Sequence, residues 1–375
     1  MKEGLVMNIL IAVDSFKGTL SSKEVAEIIK QNIATQDNNI DIIPIADGGE
    51  GTVESLMHAT NGVLKTLKVQ DAFGNYSESH YCLTNQNKTA IVEIALSSGI
   101  SKINIASLNP FITSSYGLGE TIKHALDENI SKLIIGIGGS STNDAGSGML
   151  QALGTKFYDK DNQLIKILNG NTIGLVEKID ITNLDHRIFD VTIEVACDVT
   201  NPLLGKNGCT YIYAKQKGAD EKMLEILENN MKHFSKVVQN TINKDLSDVP
   251  GVGAAGGLGF GLLAFMNAKL ISGLEVIAAA TKLEERIKKT DIIITGEGSF
   301  DHQSLNGKAP IEIARLAKKH HKNVIGIFPL SSITVMPNLF DKIYTIVPNI
   351  CSLKQSLENS KDCLDKLMKT IDLRI

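Results

Sequence analysis

An α/β fold built on a parallel sheet is predicted by three features of this chain. Short, continuous apolar runs such as Asn8 to Val13, Leu133 to Ile137 and Ile292 to Thr295 read as strands buried on both faces. The runs end in glycine-containing loops with short polar or acidic residues, and helical patterns recur between them. Strands alternating with helices in this way make a parallel sheet, and ligands of such sheets bind at the carboxyl ends of the strands.

Asn8 to Val13 is followed by Asp14, Ser15, Phe16, Lys17 and Gly18. Ser21 then opens a capping box with Glu24, ahead of Val25, Ile28, Ile29 and Ile33 at helical spacing. Ile40 to Ile45 predicts the next strand, ending in Asp47, Gly48, Gly49, Glu50 and Gly51 before a helix through Val53, Leu56 and Met57. From about Gly62 the texture changes. Val63 to Val69, Ser79 to Leu83 and Thr89 to Ile94 predict a meander that starts a second domain. Tyr116 to Glu128 predicts a helix, and Val191 to Cys197 a strand that ends at Asp198.

Glu221 to Asn243 predicts a long amphipathic helix with Met223, Leu224, Leu227, Met231, Phe234 and Val238 on its core face. Val252 to Leu270 predicts a buried helix. Its glycines, Asn267 and Lys269 argue against a membrane span, which needs about 20 mostly apolar residues. Ile311 to Lys319 and Leu353 to Ile371 predict helices, and Asn323 to Phe328 and Lys342 to Val347 predict strands. The simplest assembly is a Rossmann- or flavodoxin-like domain made from both termini, residues 1–66 with 290–375. Residues 67–289 then form an inserted α/β domain carrying the Gly-rich loops, with a cleft between the two.

With 375 residues, 43% of them hydrophobic and 21% charged, the chain has the composition of a soluble globular protein. A net charge of −4 and the lack of a dense Lys/Arg face exclude nucleic acid as partner, and no segment predicts a membrane partner. Five dispersed cysteines with no C-x-x-C pair read as reduced thiols of a cytoplasmic protein, with neither zinc site nor disulfide frame. Residues 1–6 lack the apolar core of a signal peptide. Homo-oligomerisation is left open.

The chemistry centres on LIIGIGGSSTNDAGSG, residues 133–148. A strand ending in Gly138, Gly139, Ser140, Ser141, Thr142 and Asn143 lets backbone N–H groups approach an anion closely, and a helix starting just after would add its positive end. The stretch matches neither the P-loop nor the G-x-G-x-x-G pattern. A tight crossover is the competing reading. Asp14, Lys17, Asp47, Glu50, Asp144, Asp198, Glu297 and Asp301 all stand at strand ends. Carboxylates there suit Mg²⁺ bridging phosphates, or take the proton of an attacking hydroxyl, and lysines neutralise phosphoryl charge. Each acid alone also reads as an N-cap or Asx-turn. Their recurrence after strands favours a site.

Several long strings resemble the bacterial type I glycerate kinases: AVDSFKGTLSS (12–22), PIADGGEGT (44–52), IIGIGGSSTNDAGSGMLQALG (134–154) and VACDVTNPLLG (195–205). QKGAD (216–220), GAAGGLG (253–259), ITGEGSFD (294–301) and GKAP (307–310) extend the resemblance almost end to end. It implies ATP-dependent phosphorylation of D-glycerate with Mg²⁺. The expected product is 2-phosphoglycerate, with 3-phosphoglycerate the alternative. A nucleotide- or acid-sensing protein without catalysis is the competing class.

On this resemblance Asp198, Lys17 and Asp47 are catalytic, and Ser15, Lys17, Asp47, Gly48, Gly49 and Glu50 bind the substrate. Gly138, Gly139, Ser140, Ser141, Thr142, Asn143, Lys217, Gly256 and Gly257 bind the nucleotide, and Asp198, Glu297 and Asp301 hold the metal. Asp198 is the first choice for general base, against a turn-capping role. Lys17 holds the glycerate carboxylate or the phosphoryl group. The chain departs from the family at Ser299, where relatives commonly carry Arg, at Ala145, where they have Gly, and at Lys215, where they have a less charged residue. Loss of that arginine leaves charge neutralisation to Lys17, Lys217 and Lys308, and Lys308 is the expected substitute. Ala145 matters only if its backbone needs positive φ.

Overall fold

The computed structural model describes residues 6–16, 18–34, 38–45, 51–301, 304, 308–333 and 338–373. The chain divides into two compact units, Met1–Asp47 with His58–Thr60 and Ile277–Ile375, and Gly48–Met57 with Asn61–Val276.

The first unit holds a five-stranded sheet in the spatial order Lys342–Thr345, Asn323–Phe328, Ile292–Gly296, Asn8–Val13, Asn39–Ile42. All neighbours are parallel. Numbered along the chain within this unit the order is 2-1-3-4-5, the flavodoxin-like arrangement. Asn8–Val13 is an interior strand between Ile292–Gly296 and Asn39–Ile42, and Ile9 to Val13 are fully buried, as an all-apolar strand with helices on both faces requires. Ser22–Ile33 begins with the expected capping box: the Glu24 amide donates to Ser21 Oγ, and the Ser21 amide donates to the Glu24 carboxylate at 2.9 Å. Its Val25, Ile28, Ile29 and Ile33 pack into the core with Leu364 and Leu367 of the last helix.

Two expectations need correction here. The second strand stops at Ile42, although Ile43 and Ile45 still donate amide hydrogen bonds to Ile11 and Val13. The closing segment is two helices, Leu353–Glu358 and Ser360–Met368, because Asn359 leaves helical backbone at φ −132°, ψ 46°. The thiols of Cys351 and Cys363 approach to 2.8 Å, and all five cysteines are free.

The second unit holds a six-stranded sheet in the order Lys269–Ile271, Thr192–Ala196, Lys132–Gly136, Thr89–Glu93, Tyr76–Thr84, Val63–Gln70. The first four are mutually parallel, and the last three form the predicted antiparallel meander. Helix Glu221–Ile242 buries Leu224, Leu227, Met231, Phe234 and Val238, the stripe legible in its sequence. The region 252–270 is not one helix. Ala255, Gly256 and Gly257 take left-handed φ of 55°, 68° and 84°, the helix ends at Met266, and Lys269–Ile271 adds a strand to the sheet. Asn267, itself at φ 49°, makes that exit. Among the described residues no helix is long and apolar enough to cross a membrane.

Candidate functional site

Because four strands of the second unit run parallel, their carboxyl ends line one edge of its sheet. Glu93, the segment after Gly136, Asp198 and Gly273 follow one another along that edge. Gly139 sits exposed there at φ 70°, a conformation glycine adopts without strain. The next five residues turn inward: Ser140 is 5% exposed, and Ser141, Thr142, Asn143 and Asp144 are fully buried.

Each inward group has a different fate. Ser141 donates both its amide and its hydroxyl to the Ser98 carbonyl, at 2.9 Å each, so it anchors the loop. Thr113 donates to the Ser141 carbonyl at 2.8 Å and tightens the same anchor. Asp144 accepts from the Ser115 amide and hydroxyl, both at 2.8 Å, and from the amides of Gly146 and Gly148. Burial raises the Asp144 pKa, although these four bonds favour the charged form. The helix expected to aim its positive end outward is the six-residue Ser147–Ala152, and its first turn is already occupied by Asp144. That helix end therefore serves the chain's own carboxylate and not a phosphate. Thr142 Oγ1, Asn143 Oδ1 and Ser147 Oγ are buried without a hydrogen-bond partner among the described residues.

Lys217 reaches this loop from a short 3₁₀ turn. It is 2% exposed, and its ammonium donates to Ser140 Oγ at 2.9 Å and to the Thr142 carbonyl at 2.6 Å. Burial pushes its pKa down to about 8, against the attraction of Cys209 and Asp144. Gly256 backs the loop from the other side. A Cβ there would lie 2.1 Å from the Thr142 carbonyl oxygen, and the Ala145 amide donates to the Gly256 carbonyl at 3.1 Å. Gly256 and Gly257 therefore shape the loop by close backbone approach. Ala145 takes φ 53°, so this position does need left-handed backbone, which glycine would adopt without strain.

Asp198 is exposed, and its Oδ1 accepts from the Gly273 amide at 2.9 Å, at the start of the helix Gly273–Thr281. The capping role foreseen as its alternative is thus present. Glu93, which the sequence reading passed over as the end of an apolar strand, is 2% exposed. Its two carboxylate oxygens accept from the Gly51 and Val53 amides at 2.9 and 3.1 Å.

In the first unit the sheet order reverses between Asn8–Val13 and Ile292–Gly296, which makes their carboxyl ends a topological switch point. Asp14 and Ser15 follow one strand and Glu297 follows the other, and the Asp14 amide donates to the Gly296 carbonyl at 2.9 Å. Glu297 is 7% exposed: one oxygen stands 3.3 Å from Lys308 Nζ, and Oε1 has no hydrogen-bond partner among the described residues. Thr295 Oγ1, fully buried one strand residue back from Gly296, is likewise unpartnered among the described residues. Asp301 accepts from the Ser304 amide at 3.1 Å, and Ser304 Oγ donates to the Ser299 carbonyl at 3.1 Å. The cation facing Glu297 is Lys308, on the residue before helix Ala309–Lys319.

Among the described residues no three His, Cys, Asp or Glu side chains stand close enough to hold a metal ion together. Lys17, Asp47, Gly48, Gly49 and Glu50 lie outside the described residues.

A glycine- and lysine-lined loop at the parallel strand ends of one sheet, with carboxylates at the switch point of another, suits an α/β enzyme of phosphoryl transfer. The chain belongs to the glycerate kinase family, whose model matches residues 9–375, and it is a kinase. It is 41% identical over 372 residues to the glycerate 2-kinase of Escherichia coli strain K12, covering 97% of each chain. Its identity to the glycerate kinase of Haemophilus influenzae is 43% over 323 residues, 86% of this chain and 85% of that one. A crystal structure of a protein described as putative glycerate kinase 2 from Salmonella typhimurium LT2 superposes with a TM-score of 0.85 at 38% identity, covering 97% of this chain and 96% of that one.

Proposed function

We propose that this chain transfers the γ-phosphoryl group of ATP to the 2-hydroxyl of D-glycerate, giving 2-phosphoglycerate, in the cytoplasm. The observation that carries the reading is the Gly138–Asn143 loop. Its glycines, with Gly139 exposed, precede buried residues, and a buried lysine holds the Ser140 hydroxyl and the Thr142 carbonyl from beneath. Such a loop offers backbone N–H groups and one positive charge to a polyphosphate without requiring side chains to reorganise. The 41% identity to a glycerate 2-kinase supports glycerate as acceptor and the 2-hydroxyl as the position.

Asp198 is the base. Its carboxylate is exposed at a strand end, and the Gly273 amide donates to one of its oxygens, which orients the group. Mg²⁺ suits the donor set at the other sheet. Glu297 keeps a buried oxygen without a partner among the described residues, and Asp301 adds a second carboxylate. Mg²⁺ needs only one or two carboxylates when substrate phosphates complete its shell, so a three-acid cluster is not required. When bound it would offset the charge developing on the phosphoryl oxygens. We assign Ser15, which follows a strand at the switch point, to hydrogen-bond the acid.

The test is a coupled assay with ATP, followed by phosphorus NMR of the product. Turnover dependent on D-glycerate and a 2-phosphoglycerate resonance are expected. A 3-phosphoglycerate resonance would overturn the position of transfer, and ATP turnover indifferent to glycerate would overturn the substrate.

A further inference from the structure

Cys351 and Cys363 are 12 residues apart in sequence, and their sulfurs lie 2.8 Å from each other. An S–S bond is roughly 2.05 Å long, so the two thiols stop short of one by about 0.8 Å. The backbone holds both in place. The Cys351 amide donates to the Ile346 carbonyl at 3.4 Å, just past the strand Lys342–Thr345. Cys363 sits 4% exposed in the helix Ser360–Met368, its amide donating to the Asn359 carbonyl at 3.1 Å. That helix is anchored, since Leu364 and Leu367 share the core with Ile28 and Ile29.

The segment between the two sulfurs is held less well. Helix Leu353–Glu358 has six residues, buries Ser356 alone, and leaves Leu353 and Leu357 51% and 59% exposed. A helix that short does not form by itself and depends on what packs against it. Its Leu353, Ser356 and Leu357 line a cavity of about 160 Å³ together with Phe16, Gly298 and Pro329. Those three follow the strands Asn8–Val13, Ile292–Gly296 and Asn323–Phe328, so the helix lies along the carboxyl edge of the first sheet.

We infer that Cys351 and Cys363 are a redox-modification site, an intramolecular disulfide that forms reversibly and braces helix Leu353–Glu358 at that edge. With hydrogen peroxide as oxidant, the half-buried Cys351 sulfur takes one oxygen, giving a sulfenic acid, and the first water leaves. Cys363 Sγ then attacks that sulfur. The S–S bond forms, the S–O bond breaks, and the departing hydroxide takes the Cys363 proton as a second water. Two electrons have passed from the thiol pair to the O–O bond, and a dithiol returns them. The link spans the bend at Asn359 and ties the weakly held helix to the anchored one. Burial, then the neighbouring Cys363, pushes the Cys351 thiol up to about 11, so the pair stays reduced through brief exposure and responds to sustained oxidation.

The experiment treats the full chain with hydrogen peroxide for increasing times, alkylates the remaining thiols after denaturation and digests with trypsin. Cleavage after Lys354 and Lys361 separates the two cysteines, so the disulfide is read as a joined pair of peptides that dithiothreitol releases. Joined peptides carrying Cys351 and Cys363 are expected, with the buried Cys82 and Cys209 still alkylated. Hydrogen exchange of 353–358 should slow roughly tenfold in the oxidised chain, with 132–136 unchanged. Cys351→Ser and Cys363→Ala are both made, and either one that folds should lose the joined peptides and the slowed exchange. Both thiols still alkylated after prolonged oxidation, or Cys351 carried on to the sulfinic acid with no joined peptide, overturns the site. A joined pair with unchanged exchange at 353–358 overturns the brace.

Discussion

Two strand ends with nearly the same texture in sequence do opposite things. After Ile137 the chain reads GGSSTNDAG, and after Thr295 it reads GEGSFD. In the first, the acid turns inward: Asp144 is fully buried and surrounded by four donors from Ser115, Gly146 and Gly148. In the second, Glu297 stays at the sheet's edge with one oxygen near Lys308 and the other lacking a hydrogen bond among the described residues. The lesson concerns donors. An acid whose lone pairs are all satisfied by its own chain builds the scaffold, and one with a lone pair left over can serve a ligand.

That comparison breaks most sharply at Asp144. Asp144→Ala would leave the Ser115 and Gly148 amides buried without an acceptor, and should destabilise the second unit by about 3–5 kcal/mol. Urea denaturation measures it. A loss below about 1 kcal/mol would mean that the four bonds are replaceable by water.

Lys217 is the next largest effect, and it has a pH signature. Its pKa in the fold, about 8, lies below the ordinary lysine value of 10.5, so the desolvation cost is fully present below pH 8. Between pH 8 and 10.5 the unfolded chain holds more protons than the folded one, and stability rises with pH. Relative to Lys217→Met, the unmodified chain should gain on the order of 3 kcal/mol across that window. Asp144 and Cys209, its charged and titratable neighbours, remain in both proteins, so the difference isolates the lysine. A difference that is flat in pH would place the lysine in contact with water.

At the other strand end the expected effect is on turnover. Glu297→Gln should lower kcat by roughly 10²-fold, about 2.7 kcal/mol, and raise the Mg²⁺ concentration for half-maximal rate. Stability should change by only about 0–1 kcal/mol, because the partnered Lys308 side chain is 40% exposed. Equal losses of stability at Glu297 and Asp144 would erase the distinction between the two ends.

The smallest effect sharpens the scaffold side. Ala145 sits at φ 53°, where an L side chain costs roughly 1–2 kcal/mol. Ala145→Gly should therefore raise the melting temperature by a few degrees, about 1 kcal/mol, with kcat unchanged. A lower melting temperature would show that burial of the methyl group outweighs the backbone strain.

What could be read beforehand follows the range of each interaction. The apolar strands, the Ser21–Glu24 capping box and the stripe on Glu221–Ile242 depend on neighbours a few residues apart, and sequence spacing exposes them. The glycine loop was legible as a feature, but the inward fate of Asp144 was not, since half its donors come from Ser115. Glu93 carried no local signal, because its partners lie 40 or more residues away. The break at Asn359 and the strand at Lys269–Ile271 were lost for a related reason: apolar residues at helical spacing do not say which of them a sheet edge will claim.

The pairing of the interior strand Asn8–Val13 with Ile292–Gly296 bears on how this protein is made. Asn8–Val13 leaves the ribosome well before Ile292–Gly296, and its five residues from Ile9 to Val13 are fully buried in the finished fold. One of its two neighbours, Asn39–Ile42, follows soon after, but the other, Ile292–Gly296, pairs Ile9 with Ile292. At about 5–20 residues per second the gap amounts to roughly 15–60 s of synthesis. During that time one edge of an apolar strand has no partner from its own sheet, while the second unit has every residue it needs to fold. The nascent chain therefore exposes a half-paired apolar strand after the residues of the second unit are complete, a consequence of the same pairing that later creates the switch point.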